Sequence, residues 1–210
     1  MKILFKNYFI PIILIILSLL FYIIFSAFSY SNAVFNNISD SVFRLHVIAN
    51  SNSEEDQNLK YEIRDALIDY MNKITINSNS KDMAITLAND NKNEFYKIAK
   101  NIVDKYDLNY DVKIEIGNFY FPTKHYGDIS LPAGNYDALK VEIGEAKGEN
   151  WWCVMFPPLC FVDVSSGIVP EESKNIMQDN LSSEEYTVIS NSDDTNYKLK
   201  FKIIELFQKL

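Results

Sequence analysis

The chain has 210 residues, is 48% hydrophobic and 14% aromatic, and carries a formal net charge of −8. Two of its 20 Lys and Arg residues, Lys2 and Lys6, precede Asp40, which leaves 18 basic against 28 acidic residues beyond that point. So acidic a balance excludes nucleic acid and anionic lipid as partners of that part, because both need a positive surface. It permits a basic protein surface.

From Asn7 to Ser39 no charged residue occurs, and residues 9–28 are an apolar run of 20. As a helix this run would span about 30 Å, the thickness of a bilayer core. Lys2 and Lys6 before it place the N-terminus in the cytoplasm and the remainder outside. The run is longer than a usual signal h-region, which favours an anchor. Small residues two apart (Ala27 and Ser29, Ser29 and Ser31, Ser31 and Ala33) offer cleavage sites. Both readings stand. The expected division is 1–34 signal sequence or signal anchor, 35–41 linker, and 42–210 a single extracytoplasmic α+β domain, long enough to bury its own core.

Phe43, Leu45, Val47 and Ala49 alternate with Arg44, His46 and Ile48, the period of a strand with one fully apolar face. Residues 50–53 break that run. Ser51 with Glu54, or Ser53 with Asp56, reads as a capping box, and Glu54, Glu55 and Asp56 suit the positive end of a helix dipole. Leu59, Ile63, Ala66, Leu67 and Tyr70 continue at helical spacing. The polar residues 77–80 separate this helix from the next, capped by Ser80 or Asp82, whose apolar face is Phe95, Ile98, Ala99, Ile102, Val103 and Tyr106; three Asn residues weaken the stretch 83–93.

Tyr110, Val112, Ile114 and Ile116 alternate with charged residues as a half-buried strand that Gly117 ends. Residues 119–135 read as an ordered aromatic loop. Residues 136–143 form a second alternating strand, 144–148 turn it, and 151–156 are expected to return as its antiparallel hairpin partner. Pro157 and Pro158 stop that strand. Pro170 reads as a helix start with Ile176, Met177 and Leu181 as a short buried stripe, 191–196 as a loop, and 197–203 as a last strand running into a short C-terminal helix.

Chemistry-bearing residues are sparse. His46 reads either as a base or ligand, or as a packed histidine on a strand. His125 with Asp128 offers two ligands, whereas zinc needs three or four, and no His-Glu-x-x-His or paired Cys-x-x-Cys occurs. No Gly-x-Ser-x-Gly elbow or Asp-Thr/Ser-Gly turn is present. No catalytic residue, metal, cofactor or small-molecule substrate is therefore expected. Cys153 and Cys160 are the only cysteines. Fully extended they would lie more than ~20 Å apart, but the proline pair supplies a reversal that brings a disulfide within reach; two buried thiols are the alternative. Trp151 and Trp152 face opposite ways in a strand, so one is expected in the core and the other exposed or covered by a partner. Phe119, Tyr120, Phe121 and Tyr126 either form an exposed binding cluster or seal the sheet end. Asn50, Ser51, Asp56, Gln57, Lys60 and Arg64 form either a partner-contact patch or a solvated helix start.

Three segments, FRLHVIANSNSEEDQNLK at 43–60, LPAGNY at 131–136 and GENWWCVMFPPLCFVD at 148–163, resemble stage II sporulation protein R of endospore-forming bacteria. The resemblance covers roughly residues 41–163. It implies a non-enzymatic signal, made in the forespore and exported between the two septal membranes. There it would trigger a membrane-embedded aspartic protease of the mother cell to process pro-sigma-E. The expected fold is α+β, with a mixed, largely antiparallel sheet of about four to five strands packed by two longer helices behind an N-terminal transmembrane or signal helix. The alternatives are an extracytoplasmic enzyme acting on the cell wall and a structural septal protein.

Overall fold

The computed structural model describes residues 2–78, 80–160, 169 and 171–190. The expected strand at 197–203, the loop before it, the C-terminal helix and Pro170 itself lie outside the described residues, while the helix expected to follow Pro170 is present at Glu171–Asn180 with Met177 and Leu181 buried.

The first helix, α1 (Lys2–Ser41), is one continuous segment. It holds a span long and apolar enough to cross a membrane, with a mean hydropathy of 2.8 and none of that window buried in the protein. Residues 35–41, expected as a linker, are instead its last two turns. Val34, Phe35 and Ile38 are buried there, and Phe35 meets the Tyr136 ring edge-on at 5.4 Å. The apolar run ends at Phe28, and the polar residues among 35–41 conceal that the end of the helix enters the core.

One residue, Val42, separates α1 from β1 (Phe43–Ile48). The helices α2 (Glu54–Ile74), α3 (Lys81–Asp90) and α4 (Lys92–Lys105) follow. Ser53 caps α2 by accepting from Asp56 N at 3.2 Å, and Ser80 caps α3 by accepting from Met83 N at 3.3 Å. The helical stretch that the asparagines weaken is broken at Asn91, whose side chain accepts from Tyr70 Oη at 2.7 Å and so locks the break against α2.

The strands β2 (Val112–Phe121), β5 (Gly134–Ile143) and β6 (Asn150–Phe156) join β1 in a sheet of order β2-β5-β1-β6, while β3 (Lys124–Tyr126) and β4 (Ile129–Leu131) form a separate hairpin. Two further helices, α5 (Glu171–Asn180) and α6 (Ser183–Ser190), complete the described residues. The expected fold class is therefore present, an α+β protein with a mixed four-stranded sheet behind an apolar helix.

Three expectations need correction. Strand β2 runs through Gly117 to Phe121, because a glycine without a left-handed φ does not end a ladder that both neighbours continue. The aromatic stretch after it contains the β3–β4 hairpin. And β5 and β6 are not hydrogen-bonded to each other: β1 lies between them, parallel to β5 and antiparallel to β6. Both faces of β1 are buried, as suits a central strand. The short 144–149 connection can close a hairpin or step across one strand, about 10 Å, so its length alone does not choose.

Register separates the two faces. Leu45, Val47, Leu139, Val141, Ile143 and Ile114 share one face and are buried beneath the helical layer, to which α2 contributes Leu59, Ile63, Leu67 and Met71. Arg44, His46, Tyr136, Ala138 and Trp152 share the other. Lys81, 8% exposed, ties α3 to both α1 and β5 through Ser39 O at 3.1 Å and Asp137 at 2.7 Å.

Candidate functional site

The turn after β1 and the 144–149 connection form one unit at the far end of the sheet. Asn50 Oδ1 accepts from Glu145 N at 2.9 Å, and its Nδ2 donates to Asp56 Oδ2 at 2.9 Å. Ser51 Oγ donates to the same oxygen at 2.5 Å. Glu149 N donates to Asn52 Oδ1 at 2.7 Å, Lys147 N to Asn50 O at 3.1 Å and Gly148 N to Ala49 O at 2.9 Å. Gly144, at φ +57°, and Gly148 sit where a Cβ would strike Asn50 and Ser51, so the chains approach more closely than side chains allow.

Asp56 anchors this clamp. Burial pushes its carboxyl up, but donors from Ser51, Asn50, Tyr110 and Ser53 outweigh burial and hold it below the usual value. Lys60 is 1% exposed and donates to Gln57 Oε1 at 2.5 Å and Glu149 O at 3.2 Å; burial lowers its pKa. Gln57 Nε2 donates to Ser51 O at 2.8 Å. Of the six residues expected to form a contact patch, Asp56 and Lys60 are thus enclosed and bonded within the fold. Asn50, Ser51 and Gln57 are half-buried members of the same network. Arg64 is displaced along α2, paired with Asp65 at 2.6 Å and lying 4.2 Å over the Trp151 ring.

Neither tryptophan is fully buried or fully exposed. Trp151, on the helix side, is edged by Tyr61 and covered by Arg64; Trp152, on the opposite side, stacks on His46 at 3.6 Å and meets Phe121 at 4.8 Å. Strand alternation anticipated the opposed directions but not that each ring has its own cover. The aromatic cluster splits likewise: Phe121 and Tyr126 are buried, and Tyr120 is 50% exposed. Cys153 and Cys160 are joined in a disulfide across the Pro157–Pro158 reversal, with Cα atoms 5.3 Å apart. Replacing both by Ser is expected to lower unfolding free energy by about 2–3 kcal/mol, read from urea melts; an unchanged midpoint would mean that the bridge adds nothing.

His46 Nε2 and Asn150 Oδ1 are 2.6 Å apart, and burial lowers the imidazole pKa to about 4, against 6.5 for a free histidine. Asn150 and Glu142 raise it, Lys140 and Arg44 lower it, and burial wins. The unfolded chain therefore takes up a proton below pH 6.5 that the fold refuses until about pH 4. Stability present above pH 6.5 is lost as pH falls through this window, by about 1.4 kcal/mol per unit. His46→Gln should flatten the melting temperature between pH 6.5 and 4.5; an unaltered slope would remove His46 as its source. His125 does not converge with Asp128: its Nδ1 lies 2.5 Å from Ser130 Oγ, and Asp128 pairs with Lys174 at 2.8 Å. Among the described residues no three His, Cys, Asp or Glu side chains are grouped to hold a metal.

A groove of about 560 Å³ runs along the outer edge of β6, lined by Lys60 and Tyr61 on one side, Tyr126 of β3 on the other, and Trp151, Trp152 and Cys160 between. Two features of this region escaped sequence reasoning. One is the glycine pair Gly144 and Gly148, legible only once Asn50 lies against it. The other is Arg44, fully buried under Phe121, Tyr126 and Tyr136. Its signal was present, an arginine in a strand that is otherwise apolar but for His46.

Residues 39–166 match the model of the family described as stage II sporulation protein R. The chain is also similar to Stage II sporulation protein R of Bacillus subtilis (strain 168), 38% identical over 138 residues that cover 66% of this chain and 62% of the relative. The match thus spans less than two thirds of that relative's length. No solved structure matches the chain.

Proposed function

The chain belongs to the stage II sporulation protein R family, and from that premise we propose that it is an exported sporulation signal that acts by binding, not by catalysis. Its role in sporulation follows from the family. Its target is a membrane-embedded aspartic protease of the mother cell, which it activates across the septum to process pro-sigma-E. The apolar part of α1 is compatible with a signal peptide or a membrane anchor; in either case the domain works outside the cytoplasmic membrane.

One observation supports this reading most. The first and third family-like segments, nearly ninety residues apart, meet at one surface, where Lys60 lines a groove with Glu149, Trp151 and Trp152. The clamp beside it makes that surface rigid, and rigidity lowers the ordering cost of binding. Asn50, Ser51, Asp56 and Lys60 serve the surface from within, and Gln57, Arg64, Tyr61 and Trp151 present it.

Arg64→Glu tests this directly, since Arg64 covers the Trp151 ring but makes none of the clamp's hydrogen bonds, so that its loss leaves the clamp intact. An arginine at an interface centre contributes about 2 kcal/mol, some thirtyfold in affinity. Pro-sigma-E cleavage should fall on that scale while the melting temperature stays within a few degrees. Normal cleavage by a stable Arg64→Glu protein would move the contact surface elsewhere.

A further inference from the structure

The two edges of the main sheet differ. Edge strand β2 is guarded by charge: Lys113 pairs with Glu115 of the same strand at 3.1 Å and with Glu142 of β5 at 3.4 Å. The other edge strand, β6, reads NWWCVMF and carries neither a charge nor a proline. An edge without such guards is a template for another strand. Its outward groups can be identified. Leu159 N donates to Val154 O at 3.1 Å and Tyr126 Oη to Trp152 O at 3.4 Å, so both residues turn away from β1. The alternation of an antiparallel ladder turns Asn150 the same way. Among the described residues the N–H groups of Asn150 and Trp152 have no acceptor.

We propose that this edge receives an extended, acidic segment of the partner protease as a fifth strand of the sheet. The proposal rests on the signalling reading above and names how the groove is filled. The groove has walls on both faces of β6, Tyr61 and Trp151 toward the helices and Trp152 and Tyr126 on the opposite side. An added strand fills that shape: its main chain bonds the outward groups of β6, and its successive side chains point to the two walls in turn. Charge selects the occupant. Beyond Asp40 the chain carries 18 basic against 28 acidic residues. Yet two lysines line this groove, Lys60 of α2 and Lys124 of β3, against one carboxylate, the exposed Glu149. Among the described residues neither lysine forms an ion pair. Lys60 is enclosed and acts through its field, while Lys124, half-buried, is the one an acidic side chain reaches. A second copy of this chain fits less well, since β6 itself brings no acidic residue to the edge.

The test follows amide exchange of the full chain in detergent micelles, alone and with the purified protease, by deuterium uptake with single-residue fragmentation. In the chain alone, Trp152 N–H should exchange freely, and those of Trp151 and Cys153, bonded to β1, slowly. The protease should slow Trp152 by about tenfold or more and leave the other two unchanged. Lys124→Glu should weaken that complex about fivefold, the upper end for one exposed ion pair. Pro-sigma-E cleavage in the same micelles separates this proposal from the reading it rests on. Cleavage with Trp152 still exchanging freely overturns the strand addition and leaves the signalling reading in place. Slowed exchange without cleavage keeps the strand addition and removes activation, and the absence of both removes both. Trp152 already protected in the chain alone also overturns the proposal: protection that grows with concentration assigns the edge to a second copy, and protection that does not assigns it to the chain itself. An affinity unchanged or raised in Lys124→Glu removes the acidic occupant.

Discussion

Deleting residues 1–33 should leave a domain that melts within a few degrees of the full chain, whereas deleting residues 1–42 should leave one that does not fold at 25 °C. The difference is nine residues. Four of them, Val34, Phe35, Ile38 and Val42, are at most 7% exposed. Each such side chain contributes about 1.5–3 kcal/mol by burial, so together they rival the whole stability of an ordinary domain, about 5–15 kcal/mol. The longer deletion also removes the Asn37 side chain that donates to Glu185 and the Ser39 carbonyl that receives Lys81. Each group left behind keeps another partner, Ser182 N for Glu185 and Asp137 for Lys81, but loses its tie to α1. Circular dichroism melts of the two truncations decide the matter. Equal melting temperatures would show that the end of α1 is an appendage to the fold and not a part of it.

Gly148→Ala should be nearly as damaging, although it adds a single methyl group. Its Cβ would lie 2.2 Å from Ser51 O and 2.8 Å from the Ala49 Cβ. The first obstacle is backbone, so no rotamer change relieves it. The 144–149 connection must withdraw, and the bonds from Lys147 N and Gly148 N to Asn50 and Ala49 lengthen with it. Overpacking costs about 1–3 kcal/mol and each backbone bond about 0.5–1.5 kcal/mol, so a loss near 3 kcal/mol is expected in urea melts. Gly117→Ala is the matched control, because its added Cβ meets only the Phe119 ring at an ordinary 3.6 Å. It should shift the midpoint little. Equal effects at the two glycines would mean that the clamp yields at low cost. Signalling should fall with Gly148→Ala as well, since the clamp holds the surface beside Trp151.

The elements that could be read from the sequence are those whose signal is local. The apolar period of residues 43–49 gave β1, the Ser53 and Ser80 caps gave two helix starts, and the spacing around Pro157 gave the approach of Cys153 to Cys160. The misreadings are non-local. Whether residues 151–156 pair with β5 or with β1 depends on which strand is central, and nothing within the connection says so. The linker at 35–41 was polar enough to look solvated, yet Phe35 and Ile38 fall on one helical face that only the tertiary fold covers. Helix α6 was missed although Ser182 and Glu185 form a capping box, with Ser182 N donating to Glu185 at 2.9 Å. The six residues grouped as a contact patch show a different difficulty. Polar residues in a turn look like a surface, and only the structure distinguishes Lys60, turned inward to a backbone carbonyl, from Arg64, four positions on and laid over the Trp151 ring.

The central claim is that this chain is itself the signal. The direct measurement is co-production of the full chain, the membrane-embedded protease and pro-sigma-E in a host that does not sporulate, with the chain directed either across the membrane or, by removal of residues 1–33, kept in the cytoplasm. Cleavage of pro-sigma-E should appear with the exported chain and fall to background with the retained one, both being present in equal amounts. Cleavage that is the same with the exported chain, the retained chain and no chain at all would contradict the account.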